Sequence, residues 1–275
     1  MKIAVLQMTS GIDPEVNGAV IEAAIADAAA QGASMLFTPE MSGLLDSDGK
    51  RAATHVVEEA HDPVLARVRA AAARAGIWVH LGSLALKSES GGELWANRAF
   101  VIDPAGDIAA RYDKIHLFDV DLPTGESWRE SSRYAPGPGA TLVDTPVGRL
   151  GLSICYDMRF PALFQALSGE GATILSVPAA FTVPTGQAHW HTLLRARAIE
   201  NACWLVAAAQ VGTHEDGRRT YGHSLVVDPW GKVVLDMEET PGLAVVEIDP
   251  AAVNDVRTRV PVLAHRRPIA APTTP

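Results

Sequence analysis

Two stretches of this chain carry one pattern: Phe100–Tyr112, FVIDPAGDIAARY, and Leu225–Met237, LVVDPWGKVVLDM. Each sets Asp-Pro-x-Gly between two apolar alternations. Aspartate and proline open a tight turn and glycine supplies the positive φ that closes it, so each stretch predicts a β-hairpin. Such hairpins recur in unrelated folds, and that reading stays open. The other reading is an internally quasi-symmetric sandwich, with two mixed sheets face to face and helices outside.

The remaining segments fit the second reading. KIAVLQM reads as a buried strand, and Asn17–Ala33 follows with Val20, Ile21, Ala24 and Ile25 at helical spacing. MLFTPE is a further strand, closed by a proline that leaves the ladder. Asp62–Gly76 predicts a helix, with Pro63 in its first turn and Gly76 as its stop. IWVHLGSLAL, RLGLSICYD, ATILSVPAAF and CWLVAAAQVG are apolar strand-like runs, with helices expected at about Phe160–Leu167 and Ala188–Asn201. No Pro/Ser-rich linker divides the chain, so one domain over 1–275 is expected. Its Pro-rich end, from about 258 to 275, is read as disordered or as an arm laid on a partner.

With 48% hydrophobic and 20% charged residues, the chain has ample material for a core. Its net charge of -9 and scattered Lys and Arg argue against a nucleic-acid footprint. The opening MKIAVLQM is too short for a secretory apolar region, and no apolar run approaches the roughly 20 residues that cross a bilayer. The two cysteines imply no disulfide framework. A cytoplasmic enzyme or binding protein is expected.

Cys155 ends the apolar run RLGLSIC at a strand end, where α/β folds place their sites. It reads either as a nucleophile or as a small buried hydrophobe. Cys203, inside NACWLVAAA, reads as core. A thiol nucleophile needs a base or a cation beside it. No histidine has thiol-protease flanks, and none shows metal-ligand spacing; His116 and His223 are expected to satisfy internal hydrogen bonds. Glu40 in FTPEM is either a poorly solvated strand-end base with a raised pKa or a solvated loop glutamate. Lys114 in RYDKIHLFD is either an exposed charge or a fixed ammonium beside the sulfur.

Taken in order, FTPEM, YDKIHLFD and GLSICYDMRFP resemble the three signature segments of the nitrilase superfamily of carbon–nitrogen hydrolases. The likeness runs on through HWHTLLRARAIEN, YGHSLVVDPWGKVV and PVLAHRRP and covers nearly the whole chain. Within the superfamily it is closest to the Nit branch, and its CYDMRFP and LLRARAIE segments resemble the deaminated-glutathione amidases more than the ω-amidases. The resemblance implies an α/β fold in a four-layer α-β-β-α sandwich that pairs into a homodimer or higher homo-oligomer, with no cofactor. It implies Cys155 as nucleophile, Glu40 as general base, and Lys114 as the cation facing the oxyanion, with the Tyr156 N–H as second donor. Glu130 in ESWRESS matches a second family glutamate, with Glu126 as competitor. Arg159 is expected either to grip a substrate carboxylate or to brace Asp157, and Phe181 to line the pocket or join the core.

Two departures bear on substrate preference: His191 stands where the family has glutamate, and Ala162 likewise. The expected activity is hydrolysis of a primary amide of a small α-keto acid, with release of ammonia, through a Cys thioester. An ω-amidase acting on α-ketoglutaramate, another aliphatic amidase or nitrilase, and a silent ligand-binding homologue are the alternatives.

Overall fold

The computed structural model describes residues 1–88, 92–122 and 125–271. Its helices are α1 (Pro14–Ala30), α2 (Gly49–Ala52), α3 (Pro63–Ala75), α4 (Pro161–Gly169), α5 (Val183–Asn201) and α6 (Ala251–Arg259). Two six-stranded sheets dominate. In the first the order is Gly242–Glu247, Lys2–Gln7, Met35–Phe37, Trp78–Lys87, Trp95–Ile102, Ile108–Asp113. In the second, read in the matching direction, it is Leu142–Thr145, Gly148–Gly151, Ile174–Ser176, Trp204–Ala207, Leu225–Val227, Val233–Asp236.

Both sheets repeat one sequence of pairings: an antiparallel edge strand, three mutually parallel strands, then an antiparallel hairpin. The hairpins are the two Asp-Pro-x-Gly segments. In each turn the aspartate Oδ1 accepts the N–H two residues on, from Ala105 at 2.8 Å and Trp230 at 2.9 Å. Gly106 and Gly231 take φ of 82° and 89°. The quasi-symmetric sandwich is the observed fold.

The central strands Lys2–Gln7, Met35–Phe37, Ile174–Ser176 and Trp204–Ala207 are almost wholly buried and mostly apolar because both their faces are covered. Ile3, Val5, Met35, Phe37 and Val101 share a core with Leu150, Ile174, Val206 and Val226 of the opposite sheet. Their neighbours Ala4, Leu6, Leu36, Val79 and Phe100 point the other way, into a second core with Ile21 and Ile25 of α1 and Val68 of α3. On the outer face of the second sheet lie α4 and α5, which contribute Phe164, Trp190 and Leu194. Fully burying each such side chain stabilises the fold by about 1.5–3 kcal/mol. The layers are α-β-β-α.

Some boundaries differ from the sequence reading. Helix α1 starts at Pro14 because the Asp13 side chain accepts from Glu15 N–H, and it stops at Ala30 ahead of Gly32 with φ 77°. Helix α5 starts at Val183 and absorbs Pro184 in its first turn. Gly186 sits inside it because a Cβ there would come within 2.2 Å of the Tyr221 ring. At the far end of the chain α6 runs to Arg259, so the expected arm begins inside its last turn. Beyond it, Arg266 docks on α4 and α5 through Gln165 O at 2.8 Å, Ser168 Oγ at 2.9 Å and Asn201 Oδ1 at 3.0 Å. Residues 272–275 of that segment lie outside the described residues. No helix among the described residues is long and apolar enough to cross a membrane.

Candidate active site

Cys155 lies four residues past the strand Gly148–Gly151, at the head of a short 3-10 turn, Cys155–Arg159. Its φ is 48°, left-handed backbone that a residue with a Cβ rarely adopts without support. The support is Asp157. That carboxylate is fully buried and accepts from Ile154 N–H at 2.8 Å, Tyr112 Oη at 2.7 Å and His116 N–H at 3.0 Å, with His116 Nδ1 at 2.7 Å. Cys155 N–H itself donates to Pro178 O at 2.9 Å. The strained turn therefore holds the sulfur in one place.

Glu40 lies three residues beyond its strand, in a segment pinned from every side. Thr38 Oγ1 accepts from Gly82 N–H and Ser83 Oγ from Met41 N–H, each at 2.9 Å, while Gln210 Nε2 donates to Glu40 O at 3.0 Å. A Cβ on Gly82 would stand 2.1 Å from Thr38 O, so only glycine admits this approach. Lys114 is fixed in the same manner: its N–H donates to Asn97 O at 3.0 Å and its carbonyl accepts from Gly137 N–H at 2.8 Å.

The side chains then converge. Lys114 Nζ lies 2.9 Å from Glu40 Oε1 and 2.8 Å from Glu130 Oε2. Asn97 Nδ2 bridges the carboxylates, at 2.9 Å from Glu40 and 3.2 Å from Glu130. Ala180 N–H donates to Glu40 Oε2 at 2.8 Å and Phe118 N–H to Glu130 Oε2 at 2.7 Å. Glu126 is exposed and pairs instead with Trp128 Nε1, so Glu130 is the glutamate that meets the lysine.

Electrostatics set the resting protonation. Burial works to raise Glu40, but Lys114, the Ala180 N–H and the thiol outweigh it and hold the carboxyl below its ordinary range. This corrects the expected raised pKa: the strand end is poorly solvated, yet it is not unpaired. Burial alone would lower Lys114, and the charges of Glu130 and Glu40 reverse that and hold the ammonium well above its usual value. Burial and the Glu40 charge push the Cys155 thiol well up, against the pull of Lys114. The resting state is a thiol beside a carboxylate and an ammonium.

Glu40, Lys114, Glu130, Cys155 and Phe181 line one cavity of about 510 Å³, with Trp128, Tyr134 and the arginines 129, 133 and 218 among its other walls. Tyr156 and Arg159 are not among the lining residues. The Arg159 guanidinium lies over the Tyr156 and Phe181 rings at 5.8 and 5.4 Å and meets His189 Nδ1 at 3.3 Å. It makes no ion pair with Asp157, whose oxygens are already taken. Cys203 is buried, with its thiol pushed up to about 11 chiefly by burial, as a core residue should be.

The family model for carbon–nitrogen hydrolases matches residues 2–258. The chain is a carbon–nitrogen hydrolase. Among carbon–nitrogen hydrolases, the deaminated glutathione amidase of Yersinia enterocolitica is 44% identical over 266 residues, 96% of this chain and 92% of that one. The crystal structure of the Caenorhabditis elegans NitFhit protein superposes with a TM-score of 0.89 at 42% identity, over 97% of this chain and 65% of the fusion. Thus this hydrolase spans about two thirds of that longer protein. An amidase from Nesterenkonia, with the acetamide moiety of fluoroacetamide added covalently at its active-site cysteine, superposes with a TM-score of 0.81. It is 29% identical over 97% of this chain and 94% of its own.

Sequence reasoning missed Asn97, Asp157 and Gly82. Asparagine in a strand and aspartate after a nucleophile carry no signal of their own. Gly82 did carry one, since an isolated glycine within a strand run marks a close backbone approach.

Proposed function

We propose that this carbon–nitrogen hydrolase is an amidase that cleaves a linear amide of a small α-keto acid through a thioester on Cys155. The observation that carries the reading is Cys155 in one cavity with Glu40 and Lys114, whose ammonium lies 2.9 Å from the Glu40 carboxylate. Glu40 takes the thiol proton as sulfur attacks the amide carbon. The electron pair moves to oxygen, and the oxyanion is held by Lys114 and the Tyr156 N–H. Glu40 returns the proton to nitrogen, the C–N bond breaks and the amine leaves. Water then gives its proton to Glu40 as its oxygen adds to the thioester carbon; the C–S bond breaks, the acid leaves, and Glu40 returns the proton to the Cys155 sulfur. Glu130 and Asn97 hold Lys114 and Glu40 in register.

The size of the cavity and the arginines on its walls support the substrate named for the relatives. Deaminated glutathione is an elongated dianion whose amide nitrogen belongs to a peptide, so its leaving group is a peptide amine; a primary amide of the same acid releases ammonia. A cavity of about 510 Å³ with Arg129, Arg133 and Arg218 on its walls suits the longer anion. In this reading Arg159 acts through the Tyr156 and Phe181 rings that it covers. With this reading goes a cytoplasmic homodimer or higher homo-oligomer that uses no cofactor.

The test is a panel of deaminated glutathione, α-ketoglutaramate and acetamide, read by appearance of the free acid. The expected order of kcat/KM is the order given. Faster turnover of α-ketoglutaramate would make it an ω-amidase, and no turnover of any would leave a ligand-binding homologue.

A further inference from the structure

Outside the catalytic cavity, the fold brings together three donors that chain spacing never suggested: His191 from α5, His223 from the turn after Tyr221, and Asp236 at the end of its strand. One ligand atom from each lies within 4.8 Å of the others. His191 Nε2 stands 2.9 Å from Asp236 Oδ2, and His223 Nδ1 stands 3.0 and 3.3 Å from the two Asp236 oxygens. Around a tetrahedral zinc ion, bonds of about 2.0–2.1 Å put neighbouring ligand atoms about 3.3 Å apart. The two histidine-to-aspartate spacings are close to that edge, and the two histidine nitrogens lie within 4.8 Å of each other.

Each donor is held from behind. His223 has φ 53°, with its N–H on Glu238 O at 2.6 Å and its carbonyl accepting from Trp190 Nε1 at 2.8 Å. The Tyr221 ring stacks on it at 4.4 Å. Trp190, fully buried, anchors the helix turn that carries His191. Asp236 Oδ1 also accepts from Glu238 N–H at 2.9 Å. Side-chain exposures of 37, 18 and 29% leave the front of the cluster open to water.

We propose that His191, His223 and Asp236 form a binding site for a divalent first-row transition ion, zinc foremost, with solvent completing the coordination. Two imidazoles and one carboxylate, with an open position, are the donor set such ions take. On binding, each imidazole turns the lone pair of the nitrogen that faces Asp236 to the metal, with its proton on the other ring nitrogen. His191 is the residue at which the chain departs from the glutamate of the family it resembles. The ion would clamp α5 to the strand Val233–Asp236.

Zinc alone, titrated calorimetrically into the full chain, tests this. The expected result is one ion per chain at low-micromolar affinity or tighter. His191→Gln and Asp236→Asn should each weaken it by about 100-fold or more, beyond what loss of an outer-shell partner costs. Saturating zinc should raise the melting temperature by about 5 °C in the wild type and not in these variants. Binding should persist in Cys155→Ala. Absence of saturable binding, affinity unchanged in the His191 and Asp236 variants, or loss of binding in Cys155→Ala would each overturn the proposal.

Discussion

Lys114 Nζ and Glu40 Oε1, 74 positions apart in the chain, meet at 2.9 Å with both side chains buried. Neither charge has water to fall back on, so each is the other's solvation. Catalysis and stability are therefore coupled at this pair, and variants here must be read by both.

Lys114→Met removes the cation from the buried Glu40 carboxylate and the partly buried Glu130 carboxylate. Breaking a buried pair in this way costs about 3–5 kcal/mol of stability. Turnover should fall by at least about 100-fold, since one oxyanion donor is worth about 3–4 kcal/mol. Denaturant melts and single-turnover kinetics read the two effects separately.

Asn97→Leu keeps volume while withdrawing the amide that bridges Glu40 and Glu130. With Lys114 still in place, the expected effect falls on kcat, by about 10- to 100-fold, more than on KM. Asn97→Asp should be worse, because it adds a third carboxylate to the cluster. An Asn97→Asp enzyme with wild-type kcat would contradict the bridging role.

Gly82→Ala forces a Cβ to within 2.1 Å of Thr38 O, and the backbone that carries Glu40 must move. Overpacking of this sort costs about 1–3 kcal/mol or more, and a displacement of the base should cut turnover further. Gly32→Ala is the control: its φ of 77° carries strain, but nothing lies within 4 Å of the added carbon. It should lose stability at unchanged kcat.

How much of this was legible in the chain depended on distance along it. The Asp-Pro-x-Gly hairpins and the α3 boundaries, with Asp62 capping and Gly76 at φ 66°, were written locally and came out as read. Glu40, Lys114, Glu130 and Cys155 were nameable because their flanks resemble a family. The positive φ of Cys155 and the buried Asp157 that supports it depend on tertiary contacts with Tyr112 and His116, and no local pattern encodes them. The sign of the Glu40 shift was misjudged for the same reason, since its partner sits 74 residues away.

Acid stability has a separate source in His80, which is fully buried and pushed down to about 3 by burial. A folded-state value below the unfolded 6.5 means that the unfolded chain takes up the proton first. Stability is thus whole above pH 6.5 and is lost as pH falls toward 3, by up to about 5 kcal/mol. His80→Leu should flatten that slope in pH-dependent denaturant melts. Glu40, also depressed, adds its own loss below about pH 4.5.

The whole account depends on a covalent acyl group on one sulfur. Intact-protein mass spectrometry after acid quench of the enzyme with deaminated glutathione tests it directly. The predicted result is an adduct equal to the substrate's mass less its departing amine, mapped to the peptide holding Cys155 and absent from Cys155→Ala. Product formation by Cys155→Ala at the wild-type rate, with no adduct on either protein, would contradict it.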